Sequence, residues 1–399
     1  MNYLITGGEF NNKGAEAMTL TAIKNIYEND PDAVIYMFSG VVTPDFEFIK
    51  PLQYIHLAPW LVRRLTGKDM KGYRFVCVKD LIKSVLPGYA TRWDAALLNL
   101  RKMRSIDVAI DVSGYGFGSK WPDDQNRTWL EWRGIVEKYA KKLYFMPQSF
   151  GPLDFESPEI LSLAKKVFSG CAMIYAREES GARALDELGT DNIRMPDSVL
   201  LEKGFDPSLI IKDFHKYEEA VDVKNEHNIA IIPNMRLVDK AGIPREKMVL
   251  LYSGIIDRYV KDHDLYLIAH SGEDLKICRE IKDRYPDDER IVLIDHVMYS
   301  FNYESFVKKM DFIIASRYHS IIHAYKEYVP AVIMGWADKY RSLASDVGQT
   351  DYIADPGDLE KVLQTVDKMV EGQAEAKKTI QSKVERLQER SCYDFLRRS

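Results

Sequence analysis

The sequence predicts an α/β protein of two doubly wound parallel-sheet domains facing a central cleft. Three observations predict it. Short β-branched runs alternate with amphipathic helical stretches along the whole chain, the pattern of strand–helix–strand units. Many of those runs are apolar throughout rather than alternating, as in strands buried on both faces. The length, 399 residues, exceeds what one ordinary core holds.

The elements follow in order. A first series of strands is expected at 2–6, 34–38, 54–57, 108–112, 143–146 and 173–176. Crossover helices are expected at 15–27, 129–141, 158–169 and 180–188, where apolar residues recur at helical spacing. A second series of strands is expected at 229–232, 265–269, 291–294, 312–315 and 331–334. Between the two series lies 196–226, with Pro196, Gly204 and Pro207, many charges and little periodicity. The domains are therefore 1–195, a junction 196–226, a second domain 227–372, and a polar C-terminal helix 373–399. Tyr393, Phe395 and Leu396 in that last segment are expected to dock on the first domain.

Composition bounds the function. Four cysteines, at 77, 171, 278 and 392, show no C-x-x-C spacing, which argues against a disulfide scaffold or a zinc site. The chain opens on a strand-like run without the features of a signal peptide. No apolar run approaches the roughly 18 residues of a membrane span. A cytoplasmic protein is expected. The net charge is only −5, yet 59–104 carries eleven basic residues against Asp69, Asp80 and Asp94. Trp60, Tyr73, Phe75, Trp93 and several leucines are mixed among them. That mixture suits the surface of an anionic membrane, here the inner face of the cell membrane. The other reading is a solvated face with core contacts. The acidic remainder of the chain argues against nucleic acid as a partner.

The chemistry-bearing residues cluster at expected strand ends, where parallel α/β sheets collect ligands. The first strand runs into Gly7-Gly8-Glu9-Phe10-Asn11-Asn12-Lys13-Gly14-Ala15-Glu16, a glycine-rich turn opening a helix. Such a helix start offers free N–H groups to an anion. Asp111 to Gly118, with Gly114 inside it, repeats the idea, and so does the run from Pro147 through Gln148 and Ser149 to Pro152. Arg177 ends the next strand. In the second domain stand His270-Ser271-Gly272-Glu273-Asp274, then Arg317-Tyr318-His319-Ser320, then Lys339. Arginine binds carboxylate and phosphate through a planar fork, histidine carries a proton near neutral pH, and lysine meets phosphate as a point charge. Together they point to a small substrate with several negative charges. His319 and His323 have the spacing of a metal pair but no evident third ligand, so no metal is expected.

At this point the chain resembles the polysaccharide pyruvyl transferase family over about 7–346. The matching pieces are Gly-Gly-x-x-Asn-x-x-Gly at 7–14, Pro147 to Pro152, Arg177-Glu178-x-Ser180 with Leu185 to Gly189, and Pro196-Asp197. The most specific is Arg317-x-His319-Ser320-x-x-x-Ala324, followed by Pro330 and Lys339. Ala15 after Gly14, and Ser113-Gly114-Tyr115-Gly116, depart from the usual pattern, both in the first domain.

The resemblance implies a GT-B-like fold and transfer of a pyruvyl group from phosphoenolpyruvate to a saccharide as a ketal. It implies no cofactor beyond that co-substrate. Arg177, Arg317, Ser320 and Lys339 are then donor ligands. His319, favoured as a cation by the donor's two anionic groups, is the acid. Asn12, Lys13, Gly14, Glu16, Gly114, Gln148 and Ser149 would meet the acceptor or an anion, the acceptor being free, polymeric or lipid-linked. Glu16, Glu273 and Asp274 are the candidates for a base. Two other readings share these features: a nucleotide-sugar glycosyltransferase or epimerase of the same fold, with Asp338 on a ribose, and a non-catalytic assembly scaffold.

Overall fold

The computed structural model describes residues 1–39, 41–56, 99–223, 225–239, 241–335 and 337–398. Most of the basic window 59–104 lies outside the described residues. Two parallel sheets organise the rest. The first holds β1 (Asn2–Thr6), β2 (Val34–Phe38), β3 (Gln53–Ile55), β4 (Val108–Asp111), β5 (Lys142–Gln148), β6 (Met173–Ala176) and β7 (Ile193–Arg194). Their order is β3-β2-β1-β4-β5-β6-β7, and every neighbouring pair runs parallel. The second holds β8 (Asn228–Ile232), β9 (Asp264–Ile268), β10 (Ile291–Ile294), β11 (Phe312–Ala315) and β12 (Ala331–Ile333), in the order β10-β9-β8-β11-β12, again all parallel. In each sheet the winding reverses beside its first strand, at β1/β4 and at β8/β11. Those reversals open a crevice at the strands' carboxyl ends.

The residues account for the strands. Every side chain of β4, β8, β9 and β11 is buried, as helices on both faces require. The edge strands β3 and β10 are only partly covered. Helix Pro158–Phe168 starts on a proline, which costs no hydrogen bond in a first turn, and buries Ile160, Ala164 and Val167 along one stripe. Two separate cores result. One gathers Leu4, Ala109, Leu143, Phe145 and Phe168, the other Ile231, Tyr252, Leu267, Ile314 and Val366.

The chain divides into two compact units. One comprises Met1–Glu9, Ala22–Met195 and Tyr393–Ser399, the other Phe10–Thr21 and Pro196–Cys392. Helix Lys13–Asn29 thus contributes its first turns to the second unit. The expected junction 196–226 also belongs there. It contains a short helix, Ser198–Leu201, whose side chains are all buried and whose first turn is capped by Asp197.

Some boundaries differ from expectation for physical reasons. The helix expected from 129 begins at Asp123, with a polar first turn that carries no apolar spacing. The C-terminal helix runs Leu359–Leu387, because the stripe Val362, Val366, Met369, Ala376, Ile380, Val384 is continuous. β7 is two residues long, too short to show a period. Beyond the long helix, Phe395 lies flat on Tyr144 with ring centroids 3.8 Å apart. Within the first unit, the tail therefore docks as expected. Among the described residues, no helix is long and apolar enough to cross a membrane.

Candidate functional site

Each unit carries one polar cluster at its strand ends. In the first unit β4 ends on Asp111, whose carboxylate is fully buried. It accepts from Arg133 Nε at 2.8 Å, from Ser113 N at 3.1 Å and from Gln148 Nε2 at 3.2 Å. Arg133 also donates to Ser113 Oγ and lies over the Trp129 ring. Beside it, Arg177 donates to Glu178 Oε1 at 3.0 Å and to Ser149 Oγ at 2.8 Å. Ser149 Oγ donates to the same Glu178 oxygen, and Ser149 N to the Gly114 carbonyl. Four expected site residues, Gly114, Gln148, Ser149 and Arg177, are thus joined in one network. Gly7 packs on it with φ +73°; a Cβ there would stand 2.1 Å from Ser113 Oγ, so only glycine fits.

The second unit's cluster is built on the reversal at β8/β11. Arg317 follows β11 and is clamped by the fully buried Asp274: Nε reaches Oδ2 and Nη2 reaches Oδ1, each at 2.7 Å. Nη2 also donates to Ser271 Oγ at 2.9 Å. Asp274 accepts further from Ser271 Oγ and from Met235 N. Ser320 Oγ donates to the Arg317 carbonyl at 2.6 Å, and so holds the start of helix Tyr318–Lys326. The same fork geometry that suits a carboxylate ligand here suits an internal one. Among the described residues Nη1 of Arg317 has no such partner.

His319 lies one residue into that helix. Its Nε2 stands 3.4 Å from Asp197 Oδ2, and Asp197 is buried. Its ring rests against the Cα of Gly14, where a Cβ would come within 2.2 Å of Nδ1. The glycine of the N-terminal turn is therefore required by the imidazole. From the same helix start, Lys13 donates to Glu16 Oε2 at 2.6 Å and lies over the Tyr299 ring; Glu16 Oε1 accepts from Ser300 N at 2.7 Å. Asn12 Oδ1 accepts from Gly14 N and shapes the turn. Lys339 lies over Tyr318 and Tyr340. We expect Gly14→Ala to keep the fold, because the turn is otherwise ordinary, but to push the His319 ring aside. With His319 as the acid that the sequence resemblance implies, a displacement of about 1 Å should cost about 10²-fold in turnover, which steady-state kinetics and a melting curve would show together.

Of the three candidate bases, Glu16 and Asp274 hold cations, while Glu273 is exposed and 3.4 Å from Arg236. His323 Nδ1 meets Glu304 Oε2 at 2.7 Å, and Lys326 takes the other oxygen. Burial pushes the Glu304 carboxyl up, but Lys326 and His323 outweigh it and hold it at about 2. No group of three or more His, Cys, Asp and Glu side chains among the described residues is arranged for a metal ion.

Three residues carry more than the sequence suggested. Asp197 faces His319, although its place after a proline gave no hint of that partner. Arg133 lies mid-helix, where arginines are ordinarily solvated. His270, two residues after β9, is buried, and its imidazole is pushed well below the ordinary histidine range. The cause is first burial, then the positive charges of Arg317, His323, His319 and Lys13. Each of these four cation-forming side chains is backed by a carboxylate: Asp274 for Arg317, Glu304 for His323, Asp197 for His319 and Glu16 for Lys13.

Solved structures with a similar fold include a glycosyltransferase from Rickettsia africae, with TM-score 0.55 and 11% identity over 100% of this chain and 96% of that one. S. aureus MnaA, solved with UDP, gives 0.55 and 11% over 95% and 91%. The UDP-GlcNAc 2-epimerase of Methanocaldococcus jannaschii gives 0.50 and 13% over 92% of each chain. At these identities the likeness shows the fold, that of the GT-B glycosyltransferases and epimerases. No curated protein matches the chain in sequence. The polysaccharide pyruvyl transferase profile matches residues 12–338, from the turn before Gly14 through the Arg317–His319 segment. The chain belongs to the polysaccharide pyruvyl transferase family.

Proposed function

We propose that the protein transfers a pyruvyl group from phosphoenolpyruvate to two hydroxyls of a saccharide, forming a ketal and releasing phosphate. The observation that carries this reading is the arrangement at one strand-to-helix step, where Arg317 is clamped by Asp274 and His319 faces Asp197 with its ring on Gly14, next in sequence to Lys13. A donor bearing both a carboxylate and a phosphate complements it. Arg317, held rigid by Asp274, presents Nη1 to one anionic group, and Lys13 and Lys339 serve the other as point charges. Arg177, the other expected donor ligand, belongs to the first unit, where Glu178 and Ser149 hold it.

The roles follow from the chemistry. His319 gives a proton to the methylene carbon, and C2 gains oxocarbenium character. The first sugar hydroxyl attacks C2, and neutral His319 takes its proton. The C2–O bond to phosphate then breaks, the second hydroxyl closes the ketal, and its proton leaves with phosphate. Asp197 holds the imidazole in place throughout.

Ligand-dependent melting tests the donor. Phosphoenolpyruvate at about 100 times Kd should stabilise the protein by roughly 2.7 kcal/mol. A shift with UDP-sugars and none with phosphoenolpyruvate would favour a nucleotide-sugar enzyme instead.

A further inference from the structure

His270 has no role in the reaction as described, yet it packs against Tyr303 and adjoins the residue that holds Arg317. It directly precedes Ser271, whose hydroxyl accepts from Arg317. The residue is 5% exposed, and its Nε2 is buried without a hydrogen-bond partner among the described residues. The Tyr303 ring meets it edge-to-face at 5.6 Å and meets His323 at 5.8 Å. Tyr303 donates to the carbonyl of Ser320, on the helix that carries His319. Buried imidazole nitrogens are ordinarily paired, so an orphan at a functional site calls for an explanation.

We propose that His270 is a further donor-site residue, whose imidazole takes up a proton when a multiply charged anion docks among Arg317, His319 and Lys13. The inference rests on the donor-site reading above and names a new participant in it. Without an anion, burial and the surrounding positive charges favour the neutral ring. The charged groups that act on it are Arg317 at the cap of helix Tyr318–Lys326, His319 and His323 within that helix, and Lys13 at the start of a second, while Tyr303 of a third packs on its ring. Asp274, Asp197, Glu304 and Glu16 are each committed to one of those cations. A carboxylate and a phosphate arriving together reverse the local balance. The charged imidazole then becomes the favoured form, and protonated it donates to the anion. Proton uptake follows from linkage: the complex binds more protons than the free protein. The donor site therefore recognises total negative charge as well as shape, and a singly charged carboxylate such as pyruvate should draw little uptake.

Calorimetry of donor binding near neutral pH, in buffers of different ionisation enthalpy, counts the protons. Binding of phosphoenolpyruvate to the wild type should take up about one proton per site more than binding to His270→Gln. Equal uptake in the two would overturn the role of His270 and leave the proposed function standing. Inorganic phosphate run in parallel separates the claims: His270-dependent uptake with phosphate but no binding of phosphoenolpyruvate would sink the donor assignment and keep His270. Binding of neither would overturn both. If His270→Gln does not fold, imidazole nitrogen shifts in the wild-type protein decide: His270 must move to the protonated position on saturation with phosphoenolpyruvate, and an unchanged shift refutes the proposal.

Discussion

Replacing His319 by glutamine should slow ketal formation by about 10²–10⁴-fold, the range for a lost general acid, and leave phosphoenolpyruvate affinity close to wild type. The expectation rests on placement. His319 Nε2 faces the buried Asp197, and the other edge of its ring is seated on Gly14. Glutamine fills similar space and still hydrogen-bonds, so the pocket should survive. It cannot deliver a proton to the methylene carbon. Single-turnover kinetics with saturating donor measure the chemical step directly. A wild-type rate in the variant would remove His319 from the mechanism.

Arg317→Ala should have two separable effects. It should abolish measurable donor binding, and it should destabilise the second unit. Asp274 is fully buried and receives both of its 2.7 Å fork bonds from Arg317. Removing one partner of a buried pair costs about 3–5 kcal/mol because the other charge stays behind; slight exposure of the guanidinium places the cost at the lower end. Adding Asp274→Asn removes the stranded charge. The double variant should regain much of the lost stability, read by denaturant unfolding, without regaining affinity for phosphoenolpyruvate. Recovery of both would mean that Arg317 serves only the fold.

The same residues show what the sequence could and could not convey. Strands with all side chains buried, such as β8 and β11, were legible because an apolar run bounded by turn residues has few other uses. So was the position of Arg317 and His319, since the strand-to-helix step fixes it locally. Partners were not legible. Asp274 lies 43 positions from Arg317, and Asp197 is farther still from His319. Nothing local marks which carboxylates pair with cations, so the ion pairs of Asp274 and Glu16, two of the three candidate bases, appear only in the structure. Nor could spacing reveal that the first turns of helix Lys13–Asn29 join the second unit, although that is what brings Gly14 to His319. His270 was visible only as a polar residue after β9. That its Nε2 is buried without a hydrogen-bond partner among the described residues is a property of packing.

The central claim is the transfer itself, and mass spectrometry in deuterated water tests it most directly. Candidate saccharides incubated with the protein and phosphoenolpyruvate should gain the mass of one pyruvyl ketal, with one phosphate released per ketal formed. The methyl group of the product should carry a single deuterium, delivered through His319, which exchanges its proton with solvent. Phosphate release without a ketal, or a saccharide that gains mass only from a nucleotide sugar, would contradict the account.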